Sequence, residues 1–155
     1  MRGKQAPKRP ITPDPKFQNE ALAKFINYLM IDGKKSTARA VVYDAFDIIS
    51  DKTKENPIEV FEAAIRNISP ALEVRSRRVG GSNYQIPTPV RGERRFALAS
   101  RWLLDAARSK KGRPMAARLA DELIAASKEE GDAVRKKEDV QRMAESNRAF
   151  AHFAR

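Results

Sequence analysis

The segment from Leu72 to Val90, LEVRSRRVGGSNYQIPTPV, constrains the fold of this chain more than any other. Two short extended runs flank Gly80-Gly81-Ser82-Asn83, whose residue types tolerate the positive φ angles of a tight hairpin turn. Six arginines, no lysine and a single acid lie between Arg75 and Arg95. A two-stranded ribbon is only marginally stable in water, and guanidinium groups bind phosphates and stack on bases. The segment therefore predicts a β-hairpin that nucleic acid helps to order.

Side chains of a strand point to its two faces in turn, so the arginines of this hairpin are divided between both faces. Arg75 and Arg77 share one face, and Arg78 lies on the other. Two roles fit Tyr84, next to the turn: stacking on a base, or packing on Val79 across the ribbon. The pattern is typical of a finger inserted between nucleic-acid segments.

The composition agrees with a polyanionic partner. Among 155 residues, Lys and Arg number 31 against 20 Asp and Glu, which gives a net charge of +11. Such an excess attracts phosphate backbones or anionic lipid. The absence of cysteine excludes disulfides and thiolate metal sites. No apolar run approaches the roughly 18 residues that span a bilayer, and the N-terminus lacks the apolar core of a signal peptide. We therefore expect a cytoplasmic protein.

Apolar residues recur at helical spacing on both sides of the hairpin. The third helix should begin at Asn56-Pro57, with Glu59 completing a capping box. The last helix should run from Ala133 to about Phe153, with Met143 facing inward. The sequence thus predicts a mainly α protein, a single domain of about six helices with a protruding two-stranded β-hairpin at residues 72–90.

Basic residues outside the hairpin form several groups. Residues 1–15, rich in proline and without an acid before Asp14, are predicted to be a basic arm ahead of a helical domain at residues 16–155. One basic group alone usually marks a solvated face. Several groups, opposite an acidic region on the second and third helices, indicate one continuous nucleic-acid surface. The cations of the arm and of the run after the fourth helix are Arg2, Lys4, Lys8, Arg9, Lys110, Lys111, Arg113 and Arg118.

The sequence offers little material for catalysis. The run Asp32-Gly33-Lys34-Lys35-Ser36-Thr37 ends like a phosphate-binding P-loop, but Tyr28 stands where that motif needs glycine. His152 is the only histidine, so a hydrolytic triad or a histidine metal site lacks side chains. Asp121-Glu122 is predicted to be a solvated pair on a helix surface. We expect no enzymatic activity, no cofactor and no metal.

Several long motifs resemble the bacterial small-subunit ribosomal proteins of the S-seven family. They are PDPKF at residues 13–17, LMIDGKKSTA at residues 29–38, EVRSRRVGGSNYQIP at residues 73–87 and VRKKEDV at residues 134–140. Shorter matches, Arg94-Arg95 and Arg101-Trp102 among them, follow in the same order. The resemblance covers nearly the whole chain, although the first eleven residues fit less well.

The resemblance implies a structural constituent of the small ribosomal subunit. Such a protein binds the 3′ major domain of the small-subunit ribosomal RNA and helps to organise the head of the subunit early in assembly. It lies near the exit-site transfer RNA and the path of departing messenger RNA. Its neighbours would be the small-subunit proteins numbered nine and eleven. Neither a membrane nor a second copy of the chain is implied as a partner.

The resemblance also assigns roles to residues of this chain. The primary RNA contacts would be Lys34, Lys35, Arg75, Arg77, Arg78, Arg94 and Arg95. The tip nearest to transfer RNA would be Gly80, Gly81, Ser82, Asn83 and Tyr84. The contacts to a neighbouring protein would be Arg148, Phe150, His152 and Phe153.

Two other functions fit parts of the sequence. An architectural DNA-binding protein could use the arginine ribbon in a groove, but no helix-turn-helix spacing is evident and shape-based recognition favours structured RNA. A peripheral membrane protein would need a helix with an exposed apolar face. The apolar stripes of this chain are instead predicted to form a six-helix core.

Overall fold

The computed structural model describes Gly3, Ala6, Pro7 and residues 9–154. In this part of the chain the fold is mainly α, with a two-stranded antiparallel hairpin, which confirms the predicted fold class. The chain divides into two compact units, residues 1–40 and residues 41–155. None of the helices in the described part combines the length and apolar character that crossing a bilayer requires.

The first unit contains helix α1 (Glu20–Leu29) and the start of helix α2 (Lys35–Thr53). Helix α1 begins where the Asn19 side chain accepts a hydrogen bond from the Leu22 N–H at 3.0 Å. Ahead of it, the carboxylate of Asp14 is buried and accepts the N–H groups of Lys16 and Phe17 at 3.1 and 3.2 Å. These bonds fix the turn that leads into α1. The extent of the basic arm stays a prediction.

The second unit contains the rest of α2 and helices α3 (Pro57–Ile68), α4 (Gly92–Ser109), α5 (Met115–Ser127) and α6 (Asp132–Ser146). Helix α3 begins as predicted, because the Asn56 side chain accepts the Ile58 N–H at 3.1 Å. Glu59 accepts the Asn56 side-chain amide at 3.4 Å, so it supports the cap through a side chain. Apolar side chains of these helices are fully buried in the core, including Phe46, Phe61, Leu103, Leu119 and Leu123.

The end of the chain differs from the prediction. Helix α6 ends at Ser146, where the Asn147 amide donates to the Met143 carbonyl at 2.8 Å, and a C-terminal 3₁₀ helix (Arg148–Ala154) follows. Met143 is 50% exposed, so its predicted inward orientation is wrong. The buried residues of α6 include Ala144, and the neighbouring position lies about 100° around the helix axis.

The hairpin consists of strands β1 (Leu72–Val79) and β2 (Ser82–Pro89). Its turn is shorter than predicted: only Gly80 and Gly81 lie outside the strands, at φ angles of 57° and 91°. Two consecutive positive φ angles are the requirement of a type I′ turn, which glycine meets without strain. Ser82 and Asn83 belong to β2, and the register places Arg77 opposite Tyr84.

Candidate nucleic-acid interface

Two groups of basic residues in the second unit lie at the two ends of α4. The hairpin-end cluster lies on the hairpin and the first turn of α4, and the distal cluster lies between the end of α4 and the first turns of α5. Helix α4 has 18 residues and is therefore about 27 Å long. The hairpin-end cluster is Arg75, Arg77, Arg78, Arg91, Arg94 and Arg95; the distal cluster is Lys110, Lys111, Arg113 and Arg118.

A buried acid joins two arginines of the hairpin-end cluster. The side chain of Glu73, on β1, is only 8% exposed. Its Oε1 accepts hydrogen bonds from Nε of Arg75 at 2.7 Å and from Nη2 of the same residue. Its Oε2 accepts from Nε of Arg94 at 3.1 Å. Each carboxylate oxygen therefore binds a different arginine, one from the hairpin and one from α4.

Opposing effects set the pKa of Glu73. Burial raises its pKa, because a charged group is poorly solvated in the protein. Hydrogen bonds from Arg75 and Arg94, together with their positive charges, lower it more, so the net pKa lies below the ordinary value. The Glu73 carboxylate is consequently charged at neutral pH, and both ion pairs are present.

The two paired arginines remain accessible. The side chain of Arg75 is 64% exposed and that of Arg94 is 45% exposed. With Thr88 and Arg91 they line a cavity of about 300 Å³ at the base of the hairpin. Arg94 uses only its Nε on Glu73, so its terminal Nη groups are available to another acceptor.

The remaining arginines of the hairpin-end cluster differ in their contacts. Arg78, Arg91 and Arg95 are exposed and have no carboxylate partner in the part of the chain that the structure describes. Arg77 donates through Nη1 to the Phe153 carbonyl oxygen at 2.8 Å. The hairpin end of α4 thus presents several guanidinium groups to solvent on both faces of the ribbon.

Tyr84 packs against the C-terminal 3₁₀ helix. Its ring centroid lies 5.1 Å from that of Phe150 and 5.7 Å from that of Phe153, both tilted contacts. These rings are the aromatic partners of Tyr84 in the described chain. The side chain of Val79 lies outside the described part of the structure, so packing on Val79 and stacking on a base both stay predictions. The predicted tip and the predicted partner contacts therefore lie side by side, while Arg148 and His152 are exposed.

Most of the distal cluster is bound within the protein. Lys110 Nζ donates to Glu122 Oε2 at 2.5 Å, and Arg113 Nη1 donates to Asp121 Oδ2 at 2.5 Å. Arg118 donates through Nη1 to the carbonyl oxygens of Arg108, at 3.2 Å, and of Lys110. In this cluster Lys111 is exposed and has no such partner among the described residues.

Glu122 also organises the start of α6, contrary to the predicted solvated pair. Its side chain is 0% exposed, and its Oε1 accepts the Ala133 N–H at 3.0 Å. Gly131 has a φ of 97°, and a Cβ atom there would lie 2.8 Å from this oxygen. The neighbouring Asp121 is partly exposed, and Lys52 Nζ donates to it at 2.5 Å. Hence Glu122 is a structural group rather than a surface acid.

The first unit contributes exposed cations of its own. Lys34 and Lys35 are exposed at the start of α2, and Arg9 is exposed near the N-terminus. Arg2, Lys4 and Lys8 lie outside the described residues. Within the second unit, the two clusters differ in position and in bonding, and the predicted continuous surface stays a prediction.

Glu73 is the residue of this site that the sequence analysis missed. It precedes Arg75 by two positions and therefore shares its strand face. That spacing was a usable signal for an ion pair, whereas the contact with Arg94 depends on tertiary structure.

Comparisons with known proteins identify the family of the chain. The family described as "Ribosomal protein S7p/S5e" matches residues 1–148. The small ribosomal subunit protein uS7 of Thermotoga maritima is 57% identical over 153 residues, or 99% of both chains. That of Colwellia psychrerythraea is 59% identical over 145 residues, or 94% of this chain and 93% of the relative. That of Methylobacterium radiotolerans is 57% identical over 148 residues, or 96% and 95%.

These matches confirm the family inferred from the motifs, and the likeness extends over almost the full length of the chain. A protein of this family is a structural component of the cytoplasmic ribosome and not an enzyme. In the described residues no group of three or more His, Cys, Asp or Glu side chains is placed to bind a metal ion. The chain belongs to the ribosomal protein S7p/S5e family of the small ribosomal subunit.

Proposed function

We propose that this chain binds the 3′ major domain of the small-subunit ribosomal RNA, chiefly through the hairpin-end cluster. In this role it helps to organise the head of the subunit early in assembly. The observation that carries the proposal is the exposure of paired arginines: Arg75 and Arg94 are 64% and 45% exposed although both bind Glu73. Arginines that have an internal partner and still face solvent are preorganised to bind phosphates.

The geometry of the hairpin favours folded RNA over duplex DNA. Arg75 and Arg78 lie on opposite faces of the ribbon, so both faces can contact phosphates. Structured RNA offers segments on both sides of such a finger and is recognised through shape and backbone. Lys34, Lys35, Arg9 and Lys111 are further exposed cations that would add contacts.

The hairpin tip is proposed to lie near the exit-site transfer RNA and the path of departing messenger RNA. Because the Tyr84 ring packs on Phe150 and Phe153, the surface left for RNA at the tip is Gly80 to Asn83. A photo-reactive residue replacing Asn83 should cross-link to transfer RNA in ribosomes that carry it in the exit site. The same probe at the exposed Glu138 on α6 should not. Absence of any transfer-RNA adduct from position 83 would remove this part of the proposal.

The exposed side of the C-terminal 3₁₀ helix is proposed to contact a neighbouring small-subunit protein, number nine or eleven. Arg148 and His152 lie on the exposed part of that segment. Neither a membrane nor a second copy of the chain belongs to the proposal. Cross-linking from position 148 in intact subunits should yield one of those two neighbours, and adducts only with other proteins would contradict the assignment.

The central experiment replaces Arg75, Arg77 and Arg78 together by alanine. Binding of the variant to a transcript of the 3′ major domain should weaken about 100-fold or more, since several charge-assisted contacts are lost. Arg94 still pairs with Glu73, so the thermal unfolding midpoint should shift by only a few degrees. Duplex DNA should compete weakly with the transcript for the unmodified protein.

A matched control removes three cations from the exposed face of α6, at Arg135, Lys136 and Arg142. It changes the net charge equally and should weaken binding far less. Equal losses in both variants would mean that net charge alone drives binding. Unchanged affinity in the hairpin variant would refute the proposal.

A further inference from the structure

An acid within a phosphate-binding surface requires an explanation. Glu73 contributes a negative charge beside Arg75 and Arg94, which weakens the attraction between this surface and RNA. Two positive charges minus one negative charge leave a net charge of +1 on the group. The acid is nearly buried, and each of its oxygens faces an arginine donor. Its arrangement therefore points to a role exerted through the two arginines.

Glu73 orients the two guanidinium groups in a defined way. Both arginines use Nε on the carboxylate, and Arg75 adds Nη2, so Nη1 of Arg75 and both Nη groups of Arg94 make no hydrogen bond to Glu73. Arg75 lies on β1 and Arg94 on α4, and both line the same cavity of about 300 Å³. One acid thus joins two arginines from different elements around one space.

We infer that Glu73 is a positioning residue. It holds Arg75 and Arg94 so that together they form a binding site for one phosphodiester group of folded RNA. The inference rests on the proposed function. A free arginine side chain loses rotamer freedom when it binds a ligand, whereas an arginine already held by an acid has lost much of it beforehand. Such a site favours folded RNA, in which a phosphate lies at one defined place. A flexible RNA strand gains less affinity from fixed arginines, because it can adapt equally well to mobile ones.

The test compares two RNAs and two substitutions. Dissociation constants are measured at one ionic strength for the folded 3′ major domain transcript and for poly(U), which has no fixed structure. Glu73→Gln removes the charge and replaces one acceptor by an amide, whereas Glu73→Asp keeps the charge but shortens the side chain. Both substitutions should lower the preference for the transcript over poly(U) about 10-fold, because both release at least one arginine.

Other roles of Glu73 give different results. If the acid only repels RNA, Glu73→Gln should bind both RNAs more tightly and Glu73→Asp should resemble the unmodified protein. If the acid only stabilises the fold, both RNAs should lose affinity equally and the preference should stay constant. Either result would overturn the inference.

Two further measurements complete the design. Asp44→Asn removes an exposed acid on α2 and should leave the preference unchanged, as a control for charge. In a chain that already carries Arg75→Ala and Arg94→Ala, Glu73→Gln should not lower the preference further. A preference that falls again in this background would contradict positioning through these arginines.

The two proposals fail in different ways. If the unmodified protein itself shows no preference for the transcript over poly(U), the proposed function fails. If both Glu73 variants keep the preference of the unmodified protein, only the inference about Glu73 is refuted.

Discussion

The two basic clusters at the ends of α4 differ in how completely the acids that they contact are buried: the side chain of Glu73 is 8% exposed, and that of Glu122 is 0% exposed. At the hairpin end, Glu73 pairs with arginines that stay 64% and 45% exposed. In the distal cluster, Glu122 is 0% exposed and binds both Lys110 and the first turn of α6. Glu73 contacts exposed arginines from two elements, and Glu122 contacts a lysine and a backbone N–H group. Positive charges that look equivalent in a sequence thus differ in their contacts, and we propose that they also differ in function.

The degree of burial decides which contacts each acid requires. A fully buried carboxylate needs a counter-charge and hydrogen bonds to offset its lost hydration. Lys110 and the Ala133 N–H supply them to Glu122. Arg75 and Arg94 supply these groups to Glu73. We therefore propose that the hairpin-end cluster binds RNA and that most of the distal cluster stabilises the fold.

Removing Glu122 should have the largest effect on stability. In Glu122→Ala, Lys110 loses its partner and the Ala133 N–H loses its acceptor. Breaking a buried pair of this kind should lower the free energy of unfolding by about 3–5 kcal/mol. Denaturant unfolding measures the loss, with Glu138→Ala as the control for an exposed acid. Normal stability with lost RNA affinity would reverse the roles of the two clusters.

Gly131→Ala tests how tightly the chain packs around Glu122. The new Cβ would lie 2.8 Å from Glu122 Oε1, at a φ of 97° that disfavours alanine. We expect a loss of about 1–3 kcal/mol in unfolding free energy, also by denaturant. Gly92→Ala has no positive φ and nothing within 4 Å of the new atom, so it should be neutral or slightly stabilising. Equal effects of the two substitutions would exclude a tight fit around Glu122.

Tyr84→Ala tests whether the C-terminal 3₁₀ helix supports the hairpin end. Two aromatic contacts, at 5.1 and 5.7 Å, are lost. Each such pair contributes about 0.5–1.5 kcal/mol beyond burial of its area. Amide hydrogen exchange at residues 77–84 should become faster, while exchange in α4 stays unchanged. Tyr84→Phe keeps the ring and should keep the protection; equal exchange in both variants would mean that the aromatic contacts do not order the tip.

The smallest expected effect is on the pH dependence of stability. It concerns Asp121 and Glu73, each of which pairs with two basic side chains. Burial raises the pKa of Asp121, but hydrogen bonds and charges of Lys52 and Arg113 lower it more, so its net pKa lies below 3.8. The net pKa of Glu73 likewise lies below 4.5. Each acid stabilises the fold fully above its ordinary pKa, and this contribution disappears as the pH falls through the lower folded value.

The check is a series of denaturant melts from pH 6 to pH 2. The unmodified protein should lose stability at the acid end, and Asp121→Asn should lose less because one of the two contributions is already absent. Identical acid slopes for the two proteins would show that the Asp121 ion pairs do not stabilise the fold.

Local sequence signals predicted the features that depend on neighbouring residues. The Asn56-Pro57 start of α3 and the glycine turn of the hairpin follow from capping and φ preferences, and the structure contains both. Contacts between distant residues were not predictable in this way. The pairing of Lys110 with Glu122 spans 12 positions, and that of Arg77 with the Phe153 carbonyl spans 76. Helical periodicity also could not reveal that α6 ends at Ser146, because Phe150 and Phe153 continue the helical spacing past it.

The salt dependence of RNA binding tests the division of the clusters most directly. The slope of log K against log salt concentration falls by about 1 for each phosphate contact that is lost. We predict this decrease for Arg94→Ala and for Arg78→Ala, and an unchanged slope for Lys110→Ala and Arg118→Ala, when each variant binds the 3′ major domain transcript. A slope that falls for the distal variants and stays constant for the hairpin-end variants would contradict the account.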